Sequence, residues 1–108
     1  MQRYNPEASE PVWGGVVTYA VRAHVVVNGL VQGVFFRAAA RDEALARGLG
    51  GWVRNEMDGS VVAEFEGPED GVREAVEWMA HGPSSAIVEN VQISWMDPAG
   101  ETAFRVAY

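Results

Sequence analysis

Twice along residues 21–108 the spacing of apolar side chains changes from every second residue to every third or fourth and back, and few folds satisfy that order. Strict alternation runs through Val21–Asn28: Val21, Ala23, Val25 and Val27 share one face, Arg22, His24, Val26 and Asn28 the other. A helical pattern follows over Phe36–Arg47, with Phe36, Ala40 and Ala44 at i, i+4 and i+8, and Gly48 stops it. Alternation returns in Gly51–Asn55 and Ser60–Glu66, joined by a hairpin turn at Asp58-Gly59, and places Val61, Ala63 and Phe65 toward the core. A second helix opens at Gly67-Pro68-Glu69-Asp70, with proline early and carboxylates near its positive end. Its stripe is Val72, Ala75, Val76 and Met79, and Gly82-Pro83 closes it. Ile87–Met96 reads as a strand with Val91, Ile93 and Trp95 on one side, Asp97–Gly100 as a turn, and Phe104–Tyr108 as a short last strand.

The order βαββαβ predicts an α+β fold of the split βαβ, ferredoxin-like plan: an antiparallel sheet with two helices on one face, placed there by right-handed crossovers. Residues 21–108 form the predicted domain. Residues 1–20, polar and acidic with Pro6 and Pro11, are predicted to be a flexible arm without the basic start and apolar centre of a signal peptide. Within it, Trp13–Val17 reads as a partly ordered lead-in or a docking strand.

Charge and chemistry narrow the function. A formal net charge of −7 and a pI near 4.7 oppose nucleic acid and anionic membrane as partners, and no apolar run reaches the roughly 20 residues of a membrane span. Without cysteine there is no disulfide framework and no thiol chemistry. The chain is expected to be a cytoplasmic monomer. His24 reads as a polar-face residue, and His81, the other histidine, has no ligand spacing to it, so no metal is expected. Asp42 and Glu43, adjacent on a helix, point about 100° apart and make a poor acid–base pair.

The connection between the first strand and the first helix is the chemically suggestive stretch. Val27-Asn28-Gly29-Leu30-Val31-Gln32-Gly33-Val34-Phe35-Phe36-Arg37 leaves a strand, passes two glycines and enters a helix with an arginine in its first turn. Glycines let N–H groups converge, a helix N-terminus adds unpaired donors, and a guanidinium suits phosphate oxygens. The same spacing also describes a bend with a solvated arginine. It lacks the Gly-Lys-Ser/Thr of a nucleotide-triphosphate loop and the spaced glycines of a dinucleotide fingerprint. In this topology the strand ending at Asn55 runs parallel to the first strand, one strand away, so Asn55 reaches the same sheet edge. An asparagine there either closes a turn or holds a water through its amide.

The stretch resembles the first signature of the acylphosphatase family at Val27, Gly29, Val31, Gln32, Gly33, Val34, Phe36 and Arg37. The second signature is matched by Gly51-Trp52-Val53-Arg54-Asn55, followed by Gly59, Val61 and Gly67. The resemblance covers residues 21–108 and implies the ferredoxin-like fold and hydrolysis of an acyl phosphate to a carboxylate and inorganic phosphate. It further implies a phosphate cradle from the backbone N–H groups of Gln32, Gly33, Val34, Phe35, Phe36 and Arg37, phosphate binding by the Arg37 side chain, and a water oriented by Asn55. No cofactor or metal is implied. The alternative is a non-catalytic ferredoxin-like module for small-molecule binding or assembly. An RNA-binding sheet is disfavoured, because Glu64 and Glu66 occupy the face it would need.

Overall fold

The computed structural model describes Val12–Trp13, Val16–Val17 and residues 19–108. Its elements are β1 (Val12–Trp13), β2 (Val16–Val17), β3 (Ala20–Leu30), α1 (Phe36–Ala46), β4 (Gly50–Asn55), β5 (Val61–Pro68), α2 (Glu69–Met79), β6 (Ile87–Met96) and β7 (Phe104–Val106). Most of the predicted flexible arm lies outside the described residues. Strands β1 and β2 pair with each other and add nothing to the main sheet.

The main sheet has the order β6-β3-β5-β4-β7. Its first four strands pair antiparallel, as the βαββαβ pattern predicts, and β7 adds a fifth strand parallel to β4, making the sheet mixed. Helix α1 packs on β4 and β7, and α2 on β3 and β5. The apolar stripes of both helices close on the alternating residues of the strands. Phe36, Ala40 and Ala44 of α1 and Val72, Ala75, Val76 and Met79 of α2 join Ala23, Val25, Val27, Val53, Val61, Ala63, Phe65 and Phe104 in one cluster. Phe65 is fully buried and stacks on Phe104, ring centroids 5.4 Å apart. Burying an aromatic or branched side chain stabilises by ~1.5–3 kcal/mol, so this cluster supplies the main driving force.

Strand β6 departs from that pattern. Val91, Ile93 and Trp95 pair with Val27, Val25 and Ala23 and therefore share the helix-side face. The helices centre on the inner strands, so Ile93 and Trp95 stay about half exposed, at 46% and 47%. The Arg73 guanidinium, reaching from α2, covers the Trp95 ring at 4.9 Å. Near its other end, β6 carries an extra residue between the Asn28↔Asn90 and Gly29↔Val88 pairs. Gly29 is required there: with φ 134°, any Cβ would strike the Ile87 carbonyl oxygen. One residue further on, β3 ends at Leu30 and the loop that precedes α1 begins.

The helix-free face is held by charge. Arg22, 3% exposed, donates to Glu64, Glu66 and Glu101, each at 2.7 Å. Glu66, equally buried, accepts the backbone N–H groups of Ala99 (2.8 Å) and Gly100 (2.7 Å), and Glu64 reaches His24 Nδ1 at 2.7 Å. The cluster pins residues 97–101 to the sheet and so delivers β7 to the edge of β4. Burial works to raise the Glu64 carboxyl, but the His24 and Arg22 hydrogen bonds outweigh it and hold Glu64 below the ordinary range. The Arg22 hydrogen bond likewise holds Glu101 low.

Carboxyls held low in the folded state stabilise it above the unfolded value of roughly 4.3, and that stabilisation is lost as pH falls through the folded values. Urea denaturation is therefore expected to show near-constant stability above about pH 5 and a decline below about pH 4. Arg22→Met, which leaves Glu66 buried without its cation, is expected to cost about 3–5 kcal/mol at pH 7. That deficit should shrink toward pH 3, as Glu64 and Glu101 lose the charge that Arg22 compensates. An equal deficit at both values would contradict an ion-based role for Arg22.

Candidate functional site

Helix α1 begins without the usual terminal support. Its N-cap is Phe35, whose side chain offers no acceptor, and its first turn carries no acidic residue. Helix α2, by contrast, has Glu69 and Asp70 in its first turn. The first N–H groups of α1 and the positive end of its dipole are thus left without a side-chain counter-group of the helix's own. The approach to this end is conformationally costly. Gly33 has φ 74° and open space around it, and Phe35 is left-handed at φ 62°, ψ 23° with its ring 84% exposed. A non-glycine residue in that region costs roughly 1–2 kcal/mol and persists only where its surroundings over-determine it.

Those surroundings can be named. The Phe36 side chain is buried and meets Trp78 edge-on at 5.3 Å, locking the first turn of α1 onto α2. The Ser85 hydroxyl donates to the Val34 carbonyl at 3.1 Å. Gln32 Nε2 donates to the carbonyls of Glu56 (2.7 Å) and Ser60 (2.9 Å) across the β4–β5 hairpin. The hairpin itself is closed by Glu56 N–H to the Ser60 carbonyl at 2.9 Å. It is reinforced by Asp58 Oδ1, which accepts from both the N–H and the hydroxyl of Ser60. The hydrogen bonds from Ser60 hold the Asp58 carboxyl below its ordinary range.

Asn55 is the last residue of β4, paired with Val61 just before this hairpin. The structure brings Gly33, Phe35, Phe36, Arg37 and Asn55 around one cavity of about 380 Å³. Gln32 and Val34 do not line it; the side chain of the first braces the hairpin and that of the second packs against the core. Among the described residues the Asn55 amide makes no hydrogen bond and Arg37 no ion pair; the Arg37 guanidinium lies 4.9 Å from the centre of the Tyr108 ring. The cavity therefore presents two arginines, Arg37 and Arg41, a free amide and a bare helix start to a ligand.

Of the lining residues outside the predicted site, Arg41 and Tyr108 carry polar side chains. Tyr108 arrives because β7 runs alongside β4, a pairing with no local sequence signal. Arg41 follows Arg37 by four residues on α1, a spacing that puts both on one side of a helix and was available as a signal. Among the described residues no group of His, Cys, Asp and Glu side chains is placed to hold a metal ion, and no helix is long and apolar enough to cross a membrane.

Comparison with known proteins bears on this cavity. The family model described as Acylphosphatase matches residues 23–106. The chain is 51% identical over 88 residues to a protein named acylphosphatase from Pelotomaculum thermopropionicum, covering 81% of this chain and 96% of that one. Among solved structures, an acylphosphatase from Coxiella burnetii superposes with a TM-score of 0.78 at 38% identity, over 82% of this chain and 93% of its own. The acylphosphatase from Bacillus subtilis gives the same score at 34% identity, over 82% and 99%.

The Gln32 brace can be tested directly. Gln32→Leu removes two hydrogen bonds while the Glu56 and Ser60 carbonyls keep the N–H groups of Gly59 and Glu56, which is expected to cost about 1–3 kcal/mol of stability at roughly 0.5–1.5 kcal/mol per bond. Amide hydrogen exchange should accelerate at residues 56–60 more than in the core of β5. Unchanged protection of the hairpin would show that the loop and the hairpin are held together by other contacts.

Proposed function

The chain belongs to the acylphosphatase family of enzymes, and on that premise we propose that its cavity hydrolyses acyl phosphates through Arg37, Asn55 and the N–H groups of residues 32–37. The observation that carries this reading is the meeting of an ion-pair-free Arg37 and a hydrogen-bond-free Asn55 amide, among the described residues, at an uncapped helix start. The phosphoryl group sits against the N–H donors, with the Arg37 guanidinium on its oxygens. Asn55 holds a water in line with phosphorus. The water oxygen attacks, the bond from phosphorus to the acyl oxygen breaks, and its electron pair leaves on the carboxylate. A phosphate oxygen takes the proton from the water, so no strong acid or base is required. Positioning and preorganised charge account for the acceleration, as is general in phosphoryl transfer.

The substrate is a small acyl phosphate and the product inorganic phosphate, handled by a monomer. A cytoplasmic setting fits a chain without cysteine. Phosphate release from benzoyl phosphate in the presence of a chelator tests the reading, and turnover is expected to persist. Absence of release, or release that needs added zinc or magnesium, would overturn it.

Substitutions separate the two proposed roles. Arg37→Ala should weaken inorganic phosphate binding by tenfold or more, the scale of a lost charged hydrogen bond, and abolish most turnover. Arg37→Lys should rescue little, since an ammonium cannot reproduce a planar fork. Asn55→Ala should lower turnover by about 10²-fold while phosphate affinity stays within a few-fold of wild type. Loss of phosphate binding in Asn55→Ala with turnover retained at saturation would reverse the assignment. A chain shortened to begin near Thr18 should keep its turnover, because every proposed site residue lies in the 21–108 domain. Loss of turnover with the fold intact would give residues 1–17 a part in the site.

A further inference from the structure

The chain's basic residues number eight against fifteen acidic ones, and their distribution is uneven. Arg22, Arg47, Arg54, Arg73 and Arg105 each hold a glutamate in a direct ion pair. Among the described residues the two arginines without such a partner are Arg37 and Arg41, and both line the same cavity. Arg41 has only its neighbour Asp42, at 3.9 Å, with both side chains at least half exposed. Contacts of that kind contribute ~0–1 kcal/mol and yield readily to a better anion. A strongly acidic surface with two unneutralised guanidinium groups in one cavity focuses its positive potential there.

One arginine suffices for a phosphate already held by backbone N–H groups. Arg41 stands one helical turn further along α1, an axial separation of about 6 Å from Arg37 and away from the N–H donors. The spacing exceeds the width of a phosphate group and matches the span from a phosphate to a second charge on the acyl half of a small substrate. The exposed rings of Phe35 and Tyr108 border the same cavity and offer apolar surface to the carbon skeleton between the two charges.

We propose that Arg41 is a specificity-determining residue that selects acyl phosphates bearing a second anionic group on the acyl half. This deepens the acyl-phosphate reading given above and rests on it. The acyl chain runs past Phe35 and Tyr108, and its distal carboxylate or phosphate takes the Arg41 guanidinium from Asp42. The pairing is already formed in the bound ground state, so it acts through KM.

The test compares kcat/KM for 3- and 4-carboxybenzoyl phosphate with that for benzoyl phosphate, in wild type, Arg41→Gln and Arg41→Glu. Wild type is expected to prefer one of the carboxylated substrates by about tenfold, the equivalent of one charged hydrogen bond, with the difference in KM. Arg41→Gln should bring that ratio close to one, and Arg41→Glu should invert it. Arg41 is half exposed on a helix surface, so both variants are expected to fold. A wild-type ratio at or below one, or a ratio unmoved by Arg41→Gln, overturns the assignment. Equal losses on all substrates with a matching rise in the inhibition constant of inorganic phosphate also overturn it, by making Arg41 a phosphate ligand. Wild-type failure to hydrolyse even benzoyl phosphate is a different result: it removes the hydrolase reading, and this inference with it.

Discussion

Two hydrogen bonds from one side-chain amide set the distance between the halves of the site. Gln32 Nε2 spans from the loop before α1 to the carbonyls of Glu56 and Ser60, which lie in the hairpin that follows Asn55. Val31 anchors the loop in the packed core, whereas the hairpin tip at residues 57–59 is exposed and alone would have the mobility of a surface connection. Joined, they bring Asn55 and Arg37 to one cavity although the two stand eighteen positions apart in sequence, with most of a helix and a strand between them. A side-chain amide that shares carbonyls already used within the hairpin thus does the work of a positioning device.

The helix that carries Arg37 has a division of labour along its length. Its start is bare, with no capping side chain and no acidic residue in the first turn, which leaves donors and partial positive charge free. Its flank is anchored instead by Phe36 against Trp78 and by Ala40 and Ala44 against the sheet. Apolar packing compensates for the missing cap, so the end of the helix can be kept open toward a ligand. On the opposite face the Arg22 cluster acts at longer range, fixing residues 97–101 and through them β7, which carries Tyr108 to the cavity wall.

Much of this is legible in the sequence alone, and the exceptions share a cause. The stripes Phe36–Ala40–Ala44 and Val72–Ala75–Val76–Met79 are buried as their spacing requires, because a helix that packs on a sheet must present one apolar face. The approach of Asn55 to Arg37 followed from the parallel course of their strands. The side-chain role of Gln32, the three carboxylate partners of Arg22 and the arrival of Tyr108 depend on pairs far apart in sequence, which periodicity does not encode. The half-exposure of Ile93 and Trp95 has the same origin: alternation gives the face of a strand, whereas coverage depends on where the helices sit. Arg41 was visible as a residue four positions after Arg37 but gained meaning only once the other arginines were found neutralised.

The left-handed backbone at Phe35 carries a consequence for how such a molecule changes under selection. An L-residue with a large side chain is ill-suited to φ 62°, and glycine at that position would relieve roughly a kilocalorie per mole. It would also remove the ring that stands at the rim of the cavity and loosen the backbone whose N–H groups are proposed to hold the phosphate. Selection for thermal tolerance and selection for turnover therefore pull on this one residue in opposite directions. Variants gathered under heat alone are expected to accumulate at the loop between β3 and α1, each gaining stability where the catalyst needs rigidity of a less comfortable shape.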